Sequence, residues 1–284
     1  MDLGTVTSYR EATGRHDLRL GPGERPLGGG TWLFSQPQPG TTGLVDLTTL
    51  GWPAYERLGD GSLRIAATCT VAELLALPWD EQAPGPGALA RTCADALLMS
   101  FKIQAAATVG GNLCLALPAG AMLALTAALG GQVLVWTPEG GERREPVTEF
   151  VTGVGATTLA PGEVLRAIDL PASVLQARTA GRRMALTPRG RSSALVLGRA
   201  DAHATTLTVT AATTRPVVLE VPHGAGHRAL EEALAVVDCW YEDAHGAADW
   251  RRAVTGLLAA EVLDELTEPA PAGQRPSTGR EETP

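Results

Sequence analysis

With 284 residues, 44% of them hydrophobic, the chain is long enough to bury the core of one large domain or of two unequal ones. A net charge of -8 excludes nucleic acid and anionic membrane surfaces as main partners, because both demand clustered cations. No apolar run approaches the roughly 20 residues needed to span a bilayer, and residues 1–10 lack a basic stretch followed by an apolar one, so a cytoplasmic protein is expected.

Along the chain, a glycine loop begins at Pro26, and residues 43–47 predict a short strand. Residues 62–67 alternate like a strand, and Thr70-x-x-Glu73 then makes a capping box before an apolar helix over 71–77. A Pro/Gly loop over 84–87 precedes a helix over 88–99. Pro118 suits the first turn of a helix reaching Leu129. Strands follow at 132–136, before the turn 138–141, and at 164–170, before Pro171. The polar stretch 176–183 predicts a domain boundary. Beyond it, 195–197, 206–211 and 217–221 read as an antiparallel meander and 229–237 as a helix. A final helix over 249–266 has one apolar face, able to pack within its own domain or to dock a partner. From Thr267 the composition turns to Pro, Gly, Glu and Ser, and 267–284 is expected to be a disordered tail.

Cys69, Cys93, Cys114 and Cys239 lie far apart, with no C-x-x-C pair. They are expected to be small buried hydrophobes and to ligate no zinc or iron–sulfur cluster in this chain. His223 and His227 lack a third ligand, so no metal site is expected. Gly224-x-Gly226-x-x-Ala229 imitates a dinucleotide fingerprint but lacks room for a doubly wound unit, and it reads as a turn. Asp46 reads as a loop-pinning carboxylate.

Two segments carry the chemistry. The first is Leu27-Gly28-Gly29-Gly30-Thr31-Trp32-Leu33, where successive glycines let backbone amides approach an anion and Thr31 adds a hydroxyl. Trp32 is placed either to stack on a ring or to cap the loop. The second is Thr108-Val109-Gly110-Gly111-Asn112-Leu113. Neither is followed by the Gly-Lys-Ser/Thr of a P-loop. Either alone is most simply a tight turn; the two together point to a diphosphate held between them.

These residues resemble the FAD-binding middle subunit of the molybdenum hydroxylases, the xanthine dehydrogenase and aerobic carbon monoxide dehydrogenase type. Residues 27–33 resemble its A-G-G-T-D-L loop, 44–47 its following strand, and 66–74 its G-A-x-T-T-x-x-E-L segment. Residues 108–113 match T-V-G-G-N-L throughout, 159–165 resemble L-A-P-x-E-I-L, and 244–252 resemble the closing D-x-H-G-S-A-x-Y-R-R. The resemblance implies an α+β chain with the p-cresol methylhydroxylase/vanillyl-alcohol oxidase FAD fold. It would span residues 1–175, with subdomains of about 1–53 and 54–175, followed by a small antiparallel sheet-plus-helices domain over 180–266.

It implies non-covalent FAD held by Leu27–Leu33 and Thr108–Asn112, with Leu165 against the cofactor. It implies an electron-transfer role, from iron–sulfur clusters through FAD to NAD, oxygen or a quinone. The partners would be a small 2Fe-2S subunit and a large molybdenum-cofactor subunit, in a heterotrimer or a dimer of heterotrimers. The chain departs from the family at Ala121, where an acidic residue is usual, at Gln104-Ala105 for Arg-Asn, at Trp32 for Asp, and at Met184, where a basic residue sometimes stands. Two other readings remain at this point: a self-sufficient flavin oxidase or reductase of the same fold, and a non-catalytic scaffold with a decayed flavin site.

Overall fold

The computed structural model describes residues 3–268 as three successive main sheets and one two-stranded hairpin, with helices between and behind them. β1 (Ser8–Glu11), β2 (Glu24–Leu27) and β3 (Gly43–Asp46) form a parallel sheet in the order β1-β3-β2. Only the central β3 reads as apolar, with Leu44 and Val45 buried; the edge strands are polar, and β2 contains Pro26, as edges tolerate. Arg10 on β1 donates to Glu24 on β2 at 2.8 Å. That guanidinium, aided by the Gly21 N–H, holds the Glu24 carboxyl down to about 2. Asp46 pins the loop after β3, accepting from the Thr48 N–H at 2.8 Å and from the Tyr9 hydroxyl at 2.8 Å.

β4 (Tyr55–Arg57) and β5 (Leu63–Ala66) open an antiparallel sheet that the chain leaves for six helices. These are α1 (Val71–Leu75), α2 (Trp79–Gln82), α3 (Pro84–Ala96), α4 (Phe101–Gln104), α5 (Val109–Leu115) and α6 (Ala121–Ala128). It returns as β6 (Gln132–Trp136) and β7 (Glu142–Pro146), makes α7 (Val147–Phe150) and the hairpin β8 (Val151–Gly153)–β9 (Ala156–Thr157), and closes with β10 (Val164–Leu170). The order β4-β5-β10-β6-β7 puts β10 at the centre.

The Thr70–Glu73 capping box forms in both directions, at 3.1 and 2.8 Å. α1 stops at Leu75, not at 77, because the residue before Pro78 is biased away from helix. The expected loop over 84–87 is instead the first turn of α3, where prolines cost no hydrogen bond and Gly87 packs against Trp79. α6 begins at Ala121 rather than Pro118; Asn112 Oδ1 accepts from the N–H groups of Met122 and Leu123 at 3.0 and 3.1 Å and so fixes that start.

β11 (Arg178–Met184), β12 (Ala194–Ala200), β13 (Ala204–Thr210) and β14 (Val217–Pro222) make the antiparallel meander, followed by α8 (Gly226–Ala235) and α9 (Ala248–Thr267). The expected polar boundary over 176–183 is largely β11 itself, paired with β12 from Arg178 to Met184; its arginines suit an edge strand. The strand leading to the Gly224–Ala229 imitation is antiparallel, so no βαβ unit exists there. Leu195, Leu197 and Ala211 share one apolar core with Leu123, Leu125 and the rest of α6. Val196, Leu207 and Val209 pack on the other side with Val254, Leu258, Val262 and Leu263 of α9. Most of that apolar face is therefore internal to this domain, while Leu257 is 67% exposed. The expected tail lies, from residue 269 on, outside the described residues.

Candidate cofactor-binding cleft

A cleft of about 730 Å³ runs between the first sheet and the helix-bearing second sheet, reaching the β11–β12 hairpin. Its size falls in the range of small-molecule and cofactor sites, and most of its lining is apolar. The first glycine loop leaves β2 and turns at Gly30, whose φ of +67° any other residue would resist. Among the described residues, the N–H groups of Gly28, Gly29, Gly30, Thr31 and Trp32 donate to no protein group, although all five residues line the cleft. Unengaged amides in five consecutive residues that line a cavity suit an anion. Trp32, 39% exposed, lies on the cleft wall, as does Leu33.

The second loop is built differently: it is the N-terminus of α5. Thr108 caps that helix, its Oγ1 accepting from Gly111 N–H at 3.1 Å. The Val109 and Gly110 N–H groups bond back to Cys69 O and Ala67 O at 2.8 and 2.9 Å. Val109 is fully buried and is not part of the cleft lining, and a Cβ on Gly110 would meet Ala67 at 2.5 Å, so both serve packing. Thr108, Gly110, Gly111, Asn112 and the preceding Ala107 line the cleft. The φ of Gly111 is not positive, and its Cβ would meet only Thr108 Oγ1, at 2.8 Å. The two loops touch: a Cβ on Gly29 would lie 1.6 Å from Ala106 O. The first loop thus offers the amides, and the second offers a wall kept close by missing Cβ atoms.

Leu165 reaches the cleft through a β-bulge. The pairing of β10 with β6 skips Arg166, so Leu165 lines the cavity while the Arg166 guanidinium stacks 4.2 Å from Trp52 and 5.7 Å from Trp136. Glu163 also lines the cleft, but both its oxygens accept from Arg143, at 2.8 and 2.6 Å, and one accepts from the Ala160 N–H. Those bonds, Arg143 first, hold its carboxyl below the usual range. Cys114 corrects the expectation of buried thiols: Cys69 and Cys93 are buried, Cys239 is half-buried, and Cys114 is exposed on the cleft wall. Leu97, Leu98, Met99, Ile103 and Arg191 also line the cleft, without any sequence signal for it.

An apolar cleft bordered by a glycine loop with unengaged amides is the kind of site that a nucleotide cofactor fits. The chain belongs to the family of the FAD-binding domain in molybdopterin dehydrogenase, whose model matches residues 5–173. Similar solved structures include reconstituted CO dehydrogenase from Oligotropha carboxidovorans, at a TM-score of 0.79 and 21% identity over 94% of this chain and 99% of that one. Quinoline 2-oxidoreductase from Pseudomonas putida 86 aligns at 0.78 and 19% identity, covering 94% and 98%. Carbon monoxide dehydrogenase from Hydrogenophaga pseudoflava, lacking the Mo-pyranopterin moiety, aligns at 0.77 and 19%, covering 92% and 97%. No curated protein sequence matches the chain.

The residues present fit FAD. The free amides of Gly28–Trp32 suit a diphosphate, a Cβ on Gly111 would project beside Thr108, and Leu97, Met99 and Leu165 offer apolar surface to planar rings.

Proposed function

We propose that this chain is the FAD-carrying electron-transfer subunit of a molybdenum-cofactor-dependent oxidoreductase complex. The observation that carries this reading is the chemical poverty of the cleft. Among the described residues its lining holds no histidine and no lysine, and its one carboxylate, Glu163, is committed to Arg143. Such a wall binds and orients a redox ring; it offers no nucleophile–base pair and no free acid or base for work on a second substrate. The isoalloxazine of FAD supplies one- and two-electron chemistry, and the protein sets its position and environment.

Gly28–Trp32 hold the diphosphate, Thr108, Gly111 and Asn112 form the opposing wall, and Leu165 excludes water along the cofactor. In this reading the iron–sulfur clusters and the molybdenum cofactor are carried by a small and a large partner chain, and electrons reach the FAD of this chain from the clusters. No helix among the described residues is long and apolar enough to cross a membrane.

The test is reassembly. The flavin-loaded chain alone is expected to show negligible turnover with carbon monoxide, aldehydes or N-heterocycles, while dithionite still bleaches its flavin. Turnover should appear on adding an iron–sulfur chain and a molybdenum-cofactor chain. Steady substrate oxidation by the chain alone would make it a self-sufficient oxidase instead.

A further inference from the structure

Three charged side chains line the cleft. Glu163 is tied to Arg143, and Arg25 stands on β2 at the approach to the first loop. Arg25 and Arg191 are both exposed and form no hydrogen bond or ion pair among the described residues; they differ in place, Arg25 beside the first glycine loop and Arg191 on the hairpin between β11 and β12, against the apolar wall.

The backbone around Arg191 is nevertheless held on both sides. Gly190 donates to Thr187 O at 2.9 Å and accepts from Arg183. Ser192 accepts from Arg183 Nε at 2.8 Å, and its hydroxyl lies 3.4 Å from Ala96 O. The last contact sets the hairpin beside residues 96–99, where the cleft lining is Leu97, Leu98 and Met99, with Ile103 just beyond. An unpaired cation on an anchored loop against an apolar wall is a preorganised charge waiting for an anionic partner.

Resting on the reading that the cleft holds FAD, we propose that Arg191 is a positioning residue that raises the reduction potential of the flavin by facing its redox ring. Two-electron reduction of the isoalloxazine with uptake of one proton leaves one negative charge on the ring, the electrons coming from the reductant. That charge favours a neighbouring cation and disfavours the ionised Glu163 elsewhere in the lining. The diphosphate already has its cradle at Gly28–Trp32, so Arg191 is not needed there. The wall beside Arg191 is also the one a partner can reach, with Leu98 45% and Ile103 40% exposed, and a ring that exchanges electrons must be reachable. Leu98 itself has a φ of +54°, a conformation costly for leucine and of the kind stored at functional sites.

The experiment compares the midpoint potential and the FAD affinity of the wild-type chain with R191Q and R191K, using dithionite and reference dyes. R191Q is expected to lose about tenfold in its preference for reduced over oxidised flavin, about 30 mV for a two-electron couple. Its affinity for oxidised FAD should stay as in wild type, and R191K should recover most of the potential. An unchanged potential overturns the proposal, whether or not affinity falls; a fall in affinity alone would place Arg191 on the adenosine or the diphosphate. A wild-type chain that binds no FAD would overturn the underlying reading as well, and that outcome is visible before any variant is made.

Discussion

Gly29→Ala is expected to empty the cleft of flavin and to destabilise the chain, whereas Gly111→Ala should lose flavin and gain stability. The difference follows from what each new Cβ meets. At Gly29 it would lie 1.6 Å from Ala106 O and 2.5 Å from the carbonyl carbon, a backbone collision that no side-chain rotation relieves. The two loops must separate, and the amide row of Gly28–Trp32 moves with them. At Gly111 the only neighbour is Thr108 Oγ1 at 2.8 Å, and the residue sits in the first turn of α5 with helical φ. Alanine there should favour the helix by up to about 1 kcal/mol, offset in part by the crowding of the cap. The same methyl projects into the cleft lining and is expected to weaken FAD at least tenfold, about 1.4 kcal/mol. Isothermal titration with FAD and thermal melts of the flavin-free proteins give both readouts. If Gly111→Ala binds FAD like wild type, the α5 wall does not touch the cofactor.

The second large effect lies outside the cleft. Arg251 on α9 is 1% exposed and is the hub of the C-terminal sheet. Its Nε donates to Gly246 O at 2.9 Å and its Nη1 to Ser193 O at 2.8 Å; it also bonds Ala211 O and the Asp243 carboxylate. It thereby ties the start of β12 and the end of β13 to the loop before α9, and Ala211 in turn donates to Pro118 O at 2.7 Å, next to the cleft residues Leu117 and Ala119.

Arg251→Met fills similar volume but removes the cation paired with Asp243, whose carboxylate keeps the His245 N–H, and takes the guanidinium donors from Ser193 O and Ala211 O. Breaking a buried ion pair in this way costs about 3–5 kcal/mol. For a chain of this size that is a fall in Tm of about 10 °C. Arg251→Lys keeps the charge without the planar fork and should fall between. Calorimetry measures both, and a fall below about 3 °C for the methionine variant would mean that the hub is dispensable.

The sequence made the cofactor legible sooner than the cleft that holds it. The glycines of the first loop, the Thr70–Glu73 box and the T-V-G-G-N run are local signals, and the structure sets Gly28–Gly30, Val71 within the box, and Thr108, Gly110, Gly111 and Asn112 around one cavity. The unlike roles of the two loops were not legible. A helix starting Val-Gly-Gly-Asn has poor intrinsic propensity; α5 forms because Thr108 caps it, because Val109 and Gly110 bond the turn after β5 at Cys69 and Ala67, and because Leu113 is fully buried. Such tertiary support leaves no periodic trace. The wall formed by Leu97–Met99 and Arg191 was hidden for a related reason. Arg191 arrives on a hairpin whose first strand, β11, reads as polar linker because it lies at a sheet edge. The bulge at Arg166, which aims Leu165 at the cleft, interrupts an otherwise regular apolar strand and cannot be seen in its alternation.

The central claim is that this chain holds one FAD without a covalent bond, and acid precipitation of the purified protein tests it most directly. The account predicts a yellow protein that releases about one equivalent of unmodified FAD into the supernatant, since neither glycine loop contains a cysteine or histidine to form a covalent link. A colourless protein that cannot be reconstituted with FAD would contradict it. So would flavin that stays with the precipitate, which would turn attention to Cys114, exposed on the cleft wall.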